Sequence, residues 1–88
     1  MEKSQTLFKS GFVNGSKEWA LKIINNIVDG QTRTREFYVG NLLADGTFET
    51  VFEYNSLYPA WRKYSDINVY PPQGYERVRA EDLECKML

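Results

Sequence analysis

Residues 35–55 read REFYVGNLLADGTFETVFEYN, two runs rich in β-branched and aromatic residues on either side of Asp45-Gly46. Asp-Gly between such runs is a strong hairpin signal, because both residues accept the positive φ angles of a two-residue type I′ loop. With Asp45-Gly46 as the loop, Ala44 faces Thr47 and the register follows. Leu43 faces Phe48, Asn41 faces Thr50, Val39 faces Phe52 and Phe37 faces Tyr54. Side chains alternate along a strand, so this whole set points to one side. The opposite side pairs Leu42 with Glu49, Gly40 with Val51 and Tyr38 with Glu53. A slip of one residue would bury Glu49 and Glu53 and expose Phe48 and Phe52, so the register is expected to be firmly specified.

Upstream, residues 6–13 predict a strand with Phe8 and Phe12 on one face and Leu7 and Val13 on the other; Gly11 weakens it or marks a bulge. Asn14-Gly15 breaks the pattern. Ser16 then suits a helix N-cap, Glu18 falls in the first turn, and Ala20, Ile23, Ile24 and Ile27 follow the i, i+3, i+4, i+7 spacing of one helical face. Gly30 suits the left-handed position after such a helix. A long helix over about 17–28 is the expectation, with a strand from Trp19 to Val28 as the competing reading, since isoleucine and valine also favour sheets. The polar run Gln31–Thr34 leads into the hairpin. Arg33 and Arg35 share the parity of Phe37 and Val39, so the core face must fray to solvent there.

Downstream, Asn55-Ser56 offers another cap. Leu57, Trp61 and Tyr64 recur at helical spacing, which predicts a short helix near 57–64 with Pro59 tolerated in its first turn. Ile67–Tyr70 reads as a short strand stopped by Pro71-Pro72 and turned by Gln73-Gly74, residues 75–79 as a further strand, and Ala80, Leu83 and Met87 as one face of a helix near 80–87. The expected fold is α+β. One compact domain spans residues 1–88, and the long helix packs on the apolar face of an antiparallel sheet centred on the 35–55 hairpin.

Composition narrows the function. Eleven basic and twelve acidic residues leave a net charge of −1, which argues against a generic polyanion binder. The 42% hydrophobic residues suffice for one core with little to spare, so a homodimer interface could supply part of the stability. There is no histidine and one cysteine, Cys85. The commonest general base and metal ligand are therefore missing, and an internal disulfide or multi-thiolate metal site is excluded. No segment approaches the roughly 18 apolar residues of a membrane span, and Met1-Glu2-Lys3-Ser4 lacks a signal-peptide run. A soluble cytoplasmic chain with no membrane partner is the expectation.

Motifs for catalysis are wanting. Neither a Walker A loop nor G-x-G-x-x-G occurs, and Asn14-Gly15-Ser16 reads as a turn and cap rather than a glycosylation acceptor. Glu49 and Glu53, about 13 Å apart along one strand face, suit a solvated surface better than a pair of glycosidase carboxylates. No catalytic residue, cofactor or metal is assigned.

The stretch after the hairpin is the distinctive one. Tyr58, Trp61, Arg62, Tyr64, Tyr70 and Tyr75 belong to the residue types enriched at protein–protein hot spots, where they bury large areas and keep a polar handle. One helix cannot bury Tyr58, Trp61, Arg62 and Tyr64 on a single side. The leading expectation is a non-catalytic protein-binding module, a regulator or inhibitor, docking through these six residues. Nucleic acid is the second candidate, with the same aromatics as stacking platforms and Arg33, Arg35, Arg62 and Arg77 as phosphate contacts. The expected order from residue 17 onward would match a double-stranded-RNA-binding domain, but residues 80–84 are acidic where such domains need lysines. A subunit of a larger assembly is the third.

Overall fold

From Glu2 to Tyr54 the backbone runs as four strands in succession, β1 (Glu2–Asn14), β2 (Lys17–Val28), β3 (Gln31–Leu43) and β4 (Phe48–Tyr54). A helix, α1 (Leu57–Ser65), follows, then a 3₁₀ turn at Asp66–Asn68 and a two-residue strand, β5 (Glu76–Arg77). The computed structural model describes residues 2–78. Within them the strands form one antiparallel sheet in the order β4-β3-β2-β1-β5, with α1 laid over one face. That face is called the front. The predicted helix near 80–87 lies outside the described residues.

The long helix expected over 17–28 is instead strand β2. Its apolar residues are split between two faces: Leu21 and Ile23 point to the front, Ala20 and Ile24 to the back. The β-branched isoleucines pack well on a pleated surface, and the local turns decide the matter. Asp29 and Gly30 have φ of 53° and 77°, both positive as a type I′ loop requires, and Val28 pairs with Gln31 across them. The dipeptide is a hairpin turn, not a helix stop. Gly15, at φ 63°, heads another two-residue loop with Ser16, closed by the pair Asn14 and Lys17, so Ser16 caps nothing there.

The 35–55 hairpin exists, with a different turn. Leu43 N–H donates to Thr47 O at 2.8 Å and Gly46 N–H donates to Leu43 O at 3.0 Å, which makes Ala44-Asp45-Gly46 a three-residue loop. Leu42 therefore opposes Phe48 and Asn41 opposes Glu49, one step off the expected register. Val51 has no partner on β3, and this bulge restores the expected pairs Val39–Phe52, Tyr38–Glu53 and Phe37–Tyr54. The correction reaches the faces. Phe48 lies on the back, where the Lys22 ammonium sits 4.7 Å from its ring, whereas Glu49 comes to the front and pairs with Lys17 at 3.0 Å.

Two further bulges bend the sheet. Lys9 pairs with Ala20 but Val13 with Glu18, so β1 carries extra residues around Gly11, whose φ is 84°. Asn26 pairs with Thr34 but Ile27 with Thr32, leaving Arg33 unmatched. The first bulge keeps Phe8 and Phe12 on the front and Leu7 and Val13 on the back, as the pattern of residues 6–13 predicts. Phe12 and Val13 also pair with Arg77 and Glu76, so β1 and β5 share the sheet.

The front holds the core. Phe12, Trp19, Leu21, Phe37 and Val39 from the sheet meet Ala60 of α1 and Ile67 of the 3₁₀ turn, with Tyr54, Tyr64 and Tyr75 packed around them. The helix near 57–64 is present, but its buried row is Ala60 and Tyr64; Leu57 and Trp61 stay exposed. The strand predicted over Ile67–Tyr70 is not formed. That segment turns at Asp66–Asn68, with Val69 and Tyr70 N–H both donating to Asp66 O, and then meets Pro71-Pro72.

On the back face Tyr38 donates its hydroxyl to Glu36, whose other oxygen accepts from Asn26 Nδ2 at 3.0 Å. This bond, aided by burial and by the charges of Glu36 and Glu53, pushes the Tyr38 phenol up to about 12. The same bond, with the one from Asn26, holds the Glu36 carboxyl below its usual range against the opposing effect of burial. Tyr38 rises on folding, so its contribution is complete below its ordinary value of about 10 and fades as pH climbs through 12. Glu36 is depressed, so its contribution is present above the usual carboxylate range and fades as pH falls through its folded value. An ultraviolet titration should find one tyrosine ionising near 12, and Glu36→Gln should return it toward about 10. A Tyr38 that titrates normally in the parent chain would refute the bond.

Candidate functional site

The six residues singled out after the hairpin fall into two groups and a bridge. Tyr58 and Arg62 stand one helical turn apart on the outer face of α1, where Arg62 Nη1 donates to the Tyr58 hydroxyl at 3.1 Å and the guanidinium lies 5.9 Å from its ring. Tyr58 is 69% exposed. Trp61, on the adjoining face, meets Phe8 of β1 edge-on at 5.7 Å. Tyr64 bridges surface and core, with its ring 5.3 Å from that of Trp61 and its carbonyl accepting from Trp19 Nε1 at 3.3 Å. Burial, then the charge of Glu18, pushes the Tyr64 phenol up, so at neutral pH it offers a hydroxyl and a ring rather than a base.

Tyr70 and Tyr75 belong elsewhere. They line a cavity of about 500 Å³ at the C-terminal end of α1. Trp19, Val51, Phe52 and Ile67 also contribute apolar walls, while Asn41, Lys63 and Asp66 bring polar groups. Trp19 is central: its ring is edge-on to Phe52 at 6.5 Å and to Tyr75 at 6.2 Å. Asn41 stands opposite Trp19 in the sheet and is 6% exposed. Its Oδ1 accepts from the Tyr75 hydroxyl, which ties the chain after the 3₁₀ turn down onto β3. The burial of a polar amide is thus offset by a hydrogen bond. Tyr70 stays 79% exposed at the lip, and the Lys63 ammonium sits 4.6 Å from the Phe52 ring.

The walls of this cavity come largely from residues that the sequence pattern did not single out. Trp19 reads as a helical residue there, and Val51 enters through the bulge. The signal that would have found Trp19 is the pair of turns at Gly15-Ser16 and Asp29-Gly30, which make the intervening run a strand. Tyr38, Glu49 and Glu53, expected on one side of the hairpin, are also divided, since Tyr38 and Glu53 share the back while Glu49 lies in front.

Among the described residues no cluster of His, Cys, Asp or Glu could hold a metal ion, and no helix is long and apolar enough to cross a membrane. Cys85 lies outside them. With β2 a strand, the order expected of a double-stranded-RNA-binding domain is not met. Among the described residues the geometry is a one-sided antiparallel sheet with a single α-helix and an open aromatic cavity beside it. No family model, curated protein or solved structure matches it.

Proposed function

We propose that the chain is a non-catalytic protein-binding module, of the regulator or inhibitor kind, whose anchor pocket is the cavity between Trp19, Phe52, Tyr70 and Tyr75. The carrying observation is the pairing of that open, apolar-walled cavity with Tyr70, 79% exposed at its lip. A partner's apolar side chain entering it would lose water against aromatic walls, the arrangement that concentrates binding energy at hot spots. Lys63 and Asp66 at the margin offer one charge of each sign to polar groups around such an anchor. Tyr58, Trp61 and Arg62 on α1 supply a second, flatter patch.

Nucleic acid fits less well, because Asp66 lines the same cavity and would repel phosphate. Affinity capture from the native host, followed by mass spectrometry, tests the reading. A captured partner should be released at least about tenfold more readily from Tyr70→Ala. The same variant should unfold within about 0.5 kcal/mol of the parent, since exposed positions carry little stability. A partner held equally well by Tyr70→Ala and Trp61→Ala would remove both patches from the docking surface. Steep loss of a captured nucleic acid with salt would favour the alternative instead.

A further inference from the structure

At the other end of α1 lies a cavity of a different character. It has a volume of about 390 Å³, and its walls include Thr32, Arg33, Arg35, Asn55 and Ser56. No carboxylate lines it. Arg33, unmatched at a bulge, lines the same cavity as Arg35, the front-face position two residues on. Among the described residues neither arginine forms a salt bridge, the ion pair there being Lys17–Glu49. Two guanidiniums beside one cavity repel each other unless an anion lies between them.

Arg35 is also oriented. Its Nε donates to Asn25 Oδ1 at 2.9 Å, and Asn25 Nδ2 donates in turn to Ser4 Oγ at 3.2 Å. That chain crosses β3, β2 and β1 and fixes the guanidinium through one nitrogen, leaving its terminal nitrogens for a ligand. Hydroxyls of Thr32 and Ser56 border the same space, and the Ser56 side chain makes no capping bond to the helix. The first turn of α1 contains no acidic residue to oppose an anion.

We propose that this cavity binds a single phosphoryl group, as inorganic phosphate or a phosphomonoester, through the paired guanidiniums of Arg33 and Arg35. Two positive charges match a dianion, and guanidinium forks with neighbouring hydroxyls suit its tetrahedral set of acceptors. No further lysine or arginine lines the cavity, so it does not follow the successive phosphates of a nucleic-acid strand. The site is separate from the aromatic cavity, because the nine residues of α1, about 13 Å of helix, lie between them.

The test is an amide-resolved NMR titration of the full chain with inorganic phosphate, at ionic strength held constant with chloride. Saturable shifts confined to residues 32–35 and 55–57 are expected, with phenyl phosphate shifting the same amides. Arg35→Gln should weaken binding about tenfold, as loss of a charge-assisted contact does, and Asn25→Ala should weaken it less. Arg62→Gln, on the outer face of α1, should leave it unchanged. All of these positions are exposed or half-buried, and each variant's own spectrum reports whether it is folded. Shifts that never saturate, or that survive in Arg33→Gln/Arg35→Gln, would overturn the assignment. Equal binding of acetate would overturn the phosphoryl class. If phenyl phosphate binds and inorganic phosphate does not, the ligand is an ester; the reverse result identifies the free ion.

Discussion

Gly40→Ala should destabilise the protein by about 3 kcal/mol or more, the upper end of what overpacking costs. Gly40 sits mid-strand in β3, where β4 crosses it immediately before the bulge at Val51. A Cβ built there would lie 2.1 Å from Glu49 O and 2.9 Å from Val51 N. Both are backbone atoms, so no rotamer change relieves the clash and the two strands must part. Parting them breaks the pairing that carries Phe52 and Tyr54 onto the core. For a domain of this size the expected fall in Tm is roughly 12 °C or more. Gly46→Ala makes the contrast: its φ of 91° is strained for alanine, but nothing lies within 4 Å of the added carbon. It should cost about 1–2 kcal/mol. If Gly40→Ala melts within a few degrees of the parent, the close crossing of β3 and β4 is wrong.

Trp19→Ala comes next, at about 3–5 kcal/mol. Trp19 is the joint between sheet and helix. It is 6% exposed on β2, its indole N–H reaches the Tyr64 carbonyl of α1, and its ring meets Phe52 and Tyr75. Truncation removes all three links and merges the vacated volume with the neighbouring cavity, so the void cannot close by a small shift. Total stability of a small domain is about 5–15 kcal/mol, and this substitution alone removes a large share of it. Trp19→Phe separates the contributions: it keeps most of the apolar volume, loses the donor, and should cost about 1–2 kcal/mol by denaturant melt. Near-equal losses for the two variants would mean that the hydrogen bond, not the packing, fastens α1 to the sheet.

Legibility in the sequence followed the physics of each element. The existence of the 35–55 hairpin and of the helix starting at Leu57 was readable, because Asp-Gly between β-rich runs marks a turn and Ser56 followed by Pro59 marks a helix start. The loop length, the register beside it and the buried helical row were not. Residues 17–28 were not, because Ala20, Ile23, Ile24 and Ile27 satisfy a helical face while the same run divides cleanly between two sides of a sheet. Asp29-Gly30 held the deciding information. It forms the two-residue loop with two positive φ angles, whereas Asp45-Gly46 belongs to a longer loop. The Val51 bulge carries no local marker; it follows from matching a three-residue loop to a core that needs Phe52 and Tyr54 in front. Tyr70 and Tyr75 could be named from their residue types, but their cavity depends on Trp19 and Asn41 meeting across β2 and β3, a tertiary fact. The Arg33–Arg35 cavity was visible only as a fraying of the core face.

The unmatched Val51 also interrupts the edge that β4 presents. Among the described residues β4 forms one open margin of the sheet, a place where an extra strand could add by backbone hydrogen bonds. An added strand alternates its side chains without interruption. β4 does not: Phe48, Glu49 and Thr50 follow one alternation, and Phe52, Glu53 and Tyr54 follow another. Any newcomer therefore finds matching register for three residues before every further side chain falls on the wrong face. The same residue that lines the aromatic cavity thus breaks the template that this edge of the sheet would offer to an added strand.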